Sequence, residues 1–356
     1  MTTQDRLLII LRVGLGFSDV TSIEDGVDWQ TLYHEAAAQG VLAVTWRGVE
    51  RLMSEGVITD MPRNIKLQWA ISAERIEGRY RHQEAMAKEL ATRFAENAIE
   101  TFVLKGFAIS RYYPEPSLRE SGDLDCFLGD DYERGNVVAE QTGATVRRDH
   151  YKHSHIHYRG LMVENHQFCT AIRGEQRRKT FERHLQHLLA EAPHDYLDGT
   201  KLLLPSADFN ALFLTAHAFE HFLAEGIRLR HLVDWALLLY HEQANIDWKS
   251  FYEQCELRGL TIFANTMNSL VEHYLGVVLS HPDILRDERY AERVLRDAFA
   301  SEGVFNRKVS PMYSRLLIVW NRAASIWKYH KIYRRSMLWD VTRLVWALVS
   351  ERKPRL

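Results

Sequence analysis

Residues 100–168 interrupt a chain otherwise patterned for helices, and that interruption narrows the possible folds most. TFVLKG at 101–106 is a short β-rich run ending in glycine, and LDCFL at 124–128 is a second apolar run. ATVRRD, SHIHYR and LMVENHQF read as three further strands, the last two joined by a tight hairpin at Arg159-Gly160. On both sides, apolar residues recur at helical spacing. Asp28 caps a helix through Trp29, Leu32 and Ala36 that Gly40 ends, and Pro62 opens a long helix to residue 97. Asp208, Arg228 and Asp247 mark later helix starts, and the chain reads as helical from residue 171 onward. The expected fold is α+β, a small mixed sheet embedded between helical regions, with parts at 1–97, 98–170 and 171–356.

Composition removes several classes. At 46% hydrophobic and 11% aromatic, the 356 residues can bury a core, which argues against disorder. Three cysteines make no disulfide framework. No uncharged apolar stretch reaches the length of a membrane span, and the N-terminus reads as an amphipathic helix rather than a signal peptide. The expected location is cytoplasmic. The net charge of -2 conceals an asymmetry, because the stretch from Arg307 onward holds twelve Lys or Arg against two acids. That stretch interleaves Trp320, Trp327 and Trp339 with Arg322, Lys328 and Arg335. Such a tail can rest peripherally on an anionic membrane or nucleic acid, or simply pack one face and solvate the other.

The chemistry concentrates in RESGDLDCFLGD, residues 119–130. In a strand Asp123 and Asp125 share a face, about 6.5–7 Å apart along the backbone, while Leu124 and Cys126 take the other face. Two carboxylates reaching one point repel each other unless a hard cation joins them. Glu164, with His166 on its face, offers a third acid on a later strand; the alternative is a solvent-facing acid paired with Arg147 or Arg159. Three such acids could hold two Mg²⁺ ions about 3.5–4 Å apart. Lys105 and Gly106 stand at a strand-to-helix junction suited to phosphate, with Arg119 as a further positive partner. Arg230 and His231 can meet Asp234 on one helical face, as a cleft wall or as a structural Arg230–Asp234 pair. His217 and His221 suit hydrogen-bonded core positions better than zinc, and His153, His155 and His157 share a strand face without converging on one ion.

VLKGFAISRYYPEPSLRESGDLDCFL resembles the signature of the polymerase-β-type nucleotidyltransferases, and within them the bacterial uncharacterised nucleotidyltransferase family. VENH at 163–166 and HAFEHFLAEGIRLRHLVDWALLL at 217–239 extend the resemblance over roughly residues 20–245. It implies that Asp123 and Asp125 bind metal, that Glu164 is the third carboxylate and that Gly106 opens a phosphate-contacting helix. The wider superfamily has serine or glycine after that glycine, whereas here Phe107 follows, which leaves phosphate to backbone N–H groups and nearby bases. The implied activity is Mg²⁺-dependent transfer of an NMP group, with Mn²⁺ as a substitute ion. ATP is the expected NTP donor, and a hydroxyl on a small molecule or sugar is the expected acceptor. The rival expectations are an idle binding module that kept the fold, which Phe107 favours, and a metal-dependent phosphohydrolase.

Overall fold

The computed structural model describes residues 1–19, 22–23, 26–173, 175–191, 194–300, 326–334, 336–339 and 342. Four helices lead: α1 (Thr3–Leu15), α2 (Trp29–Ala38), α3 (Leu42–Ser54) and the long α4 (Arg63–Glu96). Asp28 caps α2 by accepting the Thr31 N–H, and Pro62 precedes α4 as the sequence predicts. The sheet then begins with β1 (Thr101–Val103), the one-turn helix α5 (Phe107–Ser110) and β2 (Leu124–Phe127). α6 (Tyr132–Gln141), β3 (Thr145–Arg147), β4 (His153–Tyr158) and β5 (Leu161–His166) follow. The hairpin between β4 and β5 turns at Arg159 and Gly160, whose φ values of 47° and 86° are the left-handed pair a two-residue turn requires.

The sheet does not stop at residue 170. After α7 (Gln176–Glu191) come β6 (Asp195–Tyr196) and β7 (Leu202–Leu204), and β7 pairs parallel to β1. The seven strands run in the order β3-β4-β5-β2-β1-β7-β6. Sequence reading takes this stretch as helical because three consecutive leucines carry no period that separates strand from helix. The described chain continues with α8 (Ala207–Ala224), α9 (Leu229–Glu242), α10 (Trp248–Arg258), α11 (Thr261–Leu275) and α12 (Ala291–Ala300). Ser206, rather than Asp208, caps α8.

Strand alternation divides the sheet cleanly. Val103, Leu124, Cys126, Ile156, Val163 and Leu204 pack on one face against Tyr80, Leu90 and Phe94 of α4 and Val138 of α6. Phe102, Phe127 and Leu203 point the other way, into the core shared with α7, α8 and α9. The first half of α4 joins that second core through Ile65, Trp69 and Ile76, so one helix ties the N-terminal bundle to the back of the sheet.

Trp327 sets its ring edge-on against Phe222, and Lys328 Nζ donates to Phe222 O (2.9 Å) and pairs with Asp297 (2.7 Å). Most of the basic tail, and with it the expectation of membrane or nucleic-acid contact, lies outside the described residues. No helix among the described residues is long and apolar enough to cross a membrane.

Candidate active site

A cleft open to solvent separates the second sheet face from α8 and α9. Lys105, Gly106, Arg119, Asp123, Asp125 and Arg230, six of the seven residues the sequence singles out, line it together with His217, His231 and Asp234. Glu164 sits one strand further along. Because β2 and β5 run parallel in register, Asp125 lies directly opposite Glu164. One Asp125 oxygen, one Glu164 oxygen and one His166 nitrogen fall within 4.8 Å of one another. Asp123 stands just before β2, beside this triad and in electrostatic contact with both acids. Neither Arg147 nor Arg159 pairs with Glu164; Arg159 instead meets Glu89 at 3.0 Å, and Arg147 lies 3.9 Å from Asp149.

The charges are unevenly balanced. Asp125, only 1% exposed, accepts from His166 Nε2 at 3.0 Å, while its Oδ2 lies 3.1 Å from Lys105 Nζ without the alignment of a hydrogen bond. Burial alone would raise the Asp125 pKa, but Lys105 and His166 outweigh it and hold the carboxyl well below the usual range. Every described partner of the His166 ring is an oxygen acceptor: Phe168 O at Nδ1, and Asp125 Oδ1 and Glu164 Oε2 at Nε2. That environment demands a proton on both nitrogens, and the carboxylates raise the His166 pKa despite burial. Burial alone would raise Glu164, but protonated His166, 3.4 Å away, outweighs it and lowers the carboxyl. Asp123 goes the other way, because burial and the neighbouring Asp125 charge both raise it. Asp125 and Glu164 beside protonated His166, with Asp123 outside that 4.8 Å group and Lys105 next to Asp125, form an arrangement that a divalent ion would complete.

Arg119 and Arg230 both line the cleft, and of the two readings of Arg230 the pairing with Asp234 is the one that fails. Asp234 does not pair with Arg230. Arg119 takes it in a two-pronged bridge, Nε to Oδ1 at 2.8 Å and Nη2 to Oδ2 at 2.7 Å, and Tyr113 OH donates to Oδ1 at 2.9 Å. The remaining nitrogen, Nη1, is turned toward Gly106, 3.9 Å from where a Cβ there would sit. Arg230 Nη1 donates instead to Glu120 O at 3.0 Å, and the Glu120 side chain accepts the Leu42 N–H at 2.7 Å. Glu120 thus fastens the start of α3 to the cleft rim. The missed signal is Asp234 itself, an acid inside the apolar run LVDWALLL that needs a buried cation.

Gly106 adopts φ 57° at the β1–α5 turn, and Leu104 N–H bonds Asp125 O at 2.9 Å, which fixes the loop against β2. Phe107 is 1% exposed and meets Tyr80 edge-on at 5.0 Å in the core behind the sheet. It does not line the cleft, so the residue that departs from the superfamily pattern leaves the space above Gly106 open. Ser121, whose Oγ lies 3.6 Å from a Cβ placed on Gly106, supplies a hydroxyl there instead.

A family model described as Uncharacterised nucleotidyltransferase matches residues 25–276, which span α2 to α4, the sheet, the cleft and α11. No curated protein and no solved structure matches the chain.

Proposed function

We propose, from the premise that the chain belongs to the uncharacterised nucleotidyltransferase family, that it moves an NMP group, AMP being the expected one, from an NTP to a hydroxyl acceptor. The observation that carries this reading is the registered placement of Asp125 opposite Glu164, at the edge of a cleft whose wall Asp125 shares with Asp123 and Lys105. The ligand candidates are the carboxylate oxygens of Asp123, Asp125 and Glu164, since His166 keeps both its protons, and an all-oxygen set suits Mg²⁺. When bound, Mg²⁺ would offset triphosphate charge and lower the pKa of the acceptor hydroxyl.

The side chains supply the rest. Lys105 and His166 keep Asp125 ionised before substrate arrives, and Lys105, on a flexible stem and partly exposed, can turn to phosphate oxygens. Arg119, anchored by Asp234, offers Nη1 beside the Gly106 turn, where the resemblance puts the phosphates. Arg230 closes the rim. The acceptor oxygen forms a bond to the α-phosphorus as the bond to pyrophosphate breaks. The hydroxyl proton passes to ionised Glu164 or to solvent.

Purified protein incubated with α-labelled NTPs, Mg²⁺ or Mn²⁺ and a lysate would test this, with label followed into protein, RNA and small-molecule fractions. The reading expects pyrophosphate release matched by label in the small-molecule fraction. Orthophosphate release without an adduct would establish a phosphohydrolase instead. Nucleotide binding with no turnover across the fractions would leave an idle binding module.

A further inference from the structure

The hairpin carries a second group of ligand-type side chains, on the far side of Glu164 from Asp125. His153 and His155 occupy the same face of β4, and the β4–β5 register sets His155 opposite Glu164 and His153 opposite His166. Alternate residues on one strand do not converge by themselves, but an acid on the neighbouring strand gives them a common point. His153 Nδ1 lies 3.6 Å from Glu164 Oε2, and His155 Nε2 lies 3.9 Å from Glu164 Oε1. Both separations are too long for hydrogen bonds. They approach the spacing of about 3.3–3.5 Å that a tetrahedral ion with bonds of about 2.0–2.2 Å imposes on its ligand atoms.

Two further observations point to a ligand. His153 Nδ1 is buried and accepts or donates no hydrogen bond, an orphan in a residue only 9% exposed. His155 directs Nδ1 to Asp149 Oδ1 at 3.1 Å, so its proton belongs there and the Nε2 lone pair is turned toward Glu164. A carboxylate behind a ligating imidazole is the usual way its tautomer and ring orientation are fixed. The side chains of His155 and Glu164 are 23% and 21% exposed, which leaves an approach from solvent.

The other histidine cluster, His217, His221 and His231, also falls within 4.8 Å. One nitrogen of each ring is already engaged, His221 Nδ1 by Glu225. His231 Nδ1 accepts the Arg228 N–H at 3.0 Å, which leaves the ring proton on Nε2, and His217 Nε2 faces the Lys105 ammonium at 3.4 Å.

We propose that His153, His155 and Glu164 form a site for a borderline transition-metal ion of the Zn²⁺ class, oriented by Asp149, with at least one position open to water. Two imidazoles and a carboxylate favour such an ion over Mg²⁺, which prefers oxygen donors throughout. Glu164 is thereby shared between this site and the Asp125 cluster. The proposal needs no nucleotide and does not rest on the transferase reading.

The test uses the untagged full chain, stripped of metal by a chelator, titrated with Co²⁺ and followed by visible absorption. The expected result is a saturating signal from a four-coordinate ion, displaced by Zn²⁺ and untouched by excess Mg²⁺. H153A and H155A should each weaken binding by about tenfold or more, and D149N by about 10–100-fold. H217A should leave it unchanged. A folded wild type that gives no Co²⁺ signal overturns the proposal, as does a signal that persists in an H153A/H155A double variant. Should that double variant fail to fold, D149N decides alone: its side chain is 56% exposed, so the fold tolerates the change, and unaltered affinity refutes the site. Mg²⁺-ATP binding, measured separately, reports on the transferase reading whichever way this one falls.

Discussion

Asp234 and Asp125 are both buried acids facing one cleft, and they are satisfied in opposite ways. Asp234 receives three well-aligned hydrogen bonds, two from Arg119 and one from Tyr113, so both its oxygens are occupied. Asp125 receives one, from His166, and otherwise relies on the nearby charge of Lys105 while two more acids crowd it. The first arrangement is closed and has nothing left to bind. The second is neutralised without being saturated, and a ligand can improve on it. Burial of charge alone therefore does not mark a functional acid; incomplete geometry does.

The strongest challenge to that contrast is D125N. It should reduce nucleotidyl transfer about a thousandfold or more, measured as pyrophosphate release, because a metal-binding carboxylate is worth several kcal/mol to the transition state. Its effect on stability should be the smaller one, since Lys105 can swing to solvent and His166 can lose its extra proton. D234N should show the reverse emphasis. It leaves Arg119 buried against a neutral partner and should cost about 3–5 kcal/mol in denaturant unfolding. Equal unfolding losses for the two variants would erase the distinction.

F107S separates a packing role from a phosphate role at the position where the family pattern is broken. The Phe107 ring fills the core against Tyr80, so the substitution should cost about 3 kcal/mol of stability. It should not tighten ATP binding in calorimetry, because the side chain points away from the cleft; tighter binding would mean that residue 107 reaches the phosphates.

The effect that is smallest for any one residue concerns pH. Burial, helped by Lys105 at His217 and by Arg230 at His231, holds both imidazoles well below their ordinary pKa. The unfolded chain then takes up protons below about pH 6.5 that the folded one refuses, so stability should fall as pH drops through that range. The slope is at most about 1.4 kcal/mol per pH unit for each histidine. Thermal melts between pH 7 and 5 should show it, and H217Q should flatten it.

Much of the fold was legible because its signals are local. The Asp28 and Asp247 caps, the Pro62 helix start and the Arg159-Gly160 turn each depend on a few adjacent residues. Strand alternation put Asp125, Glu164 and His166 on one face for the same reason. β6 and β7 escaped notice because they are two and three residues long and exist only through their neighbours. The Arg119–Asp234 bridge joins residues 115 positions apart, while helical spacing offered Arg230 as a nearer and mistaken partner. His153 and His155 diverge along their own strand, and the point where they meet lies on β5, which a single strand's alternation does not reveal.

The central claim is that Asp125 belongs to a site that a metal-bound nucleotide completes. Isothermal titration of ATP into wild type and D125N, each with Mg²⁺ and each confirmed as folded by circular dichroism, tests it most directly. The account predicts saturable binding by wild type that disappears without Mg²⁺ and is lost in D125N. Indistinguishable isotherms for the two proteins would contradict it.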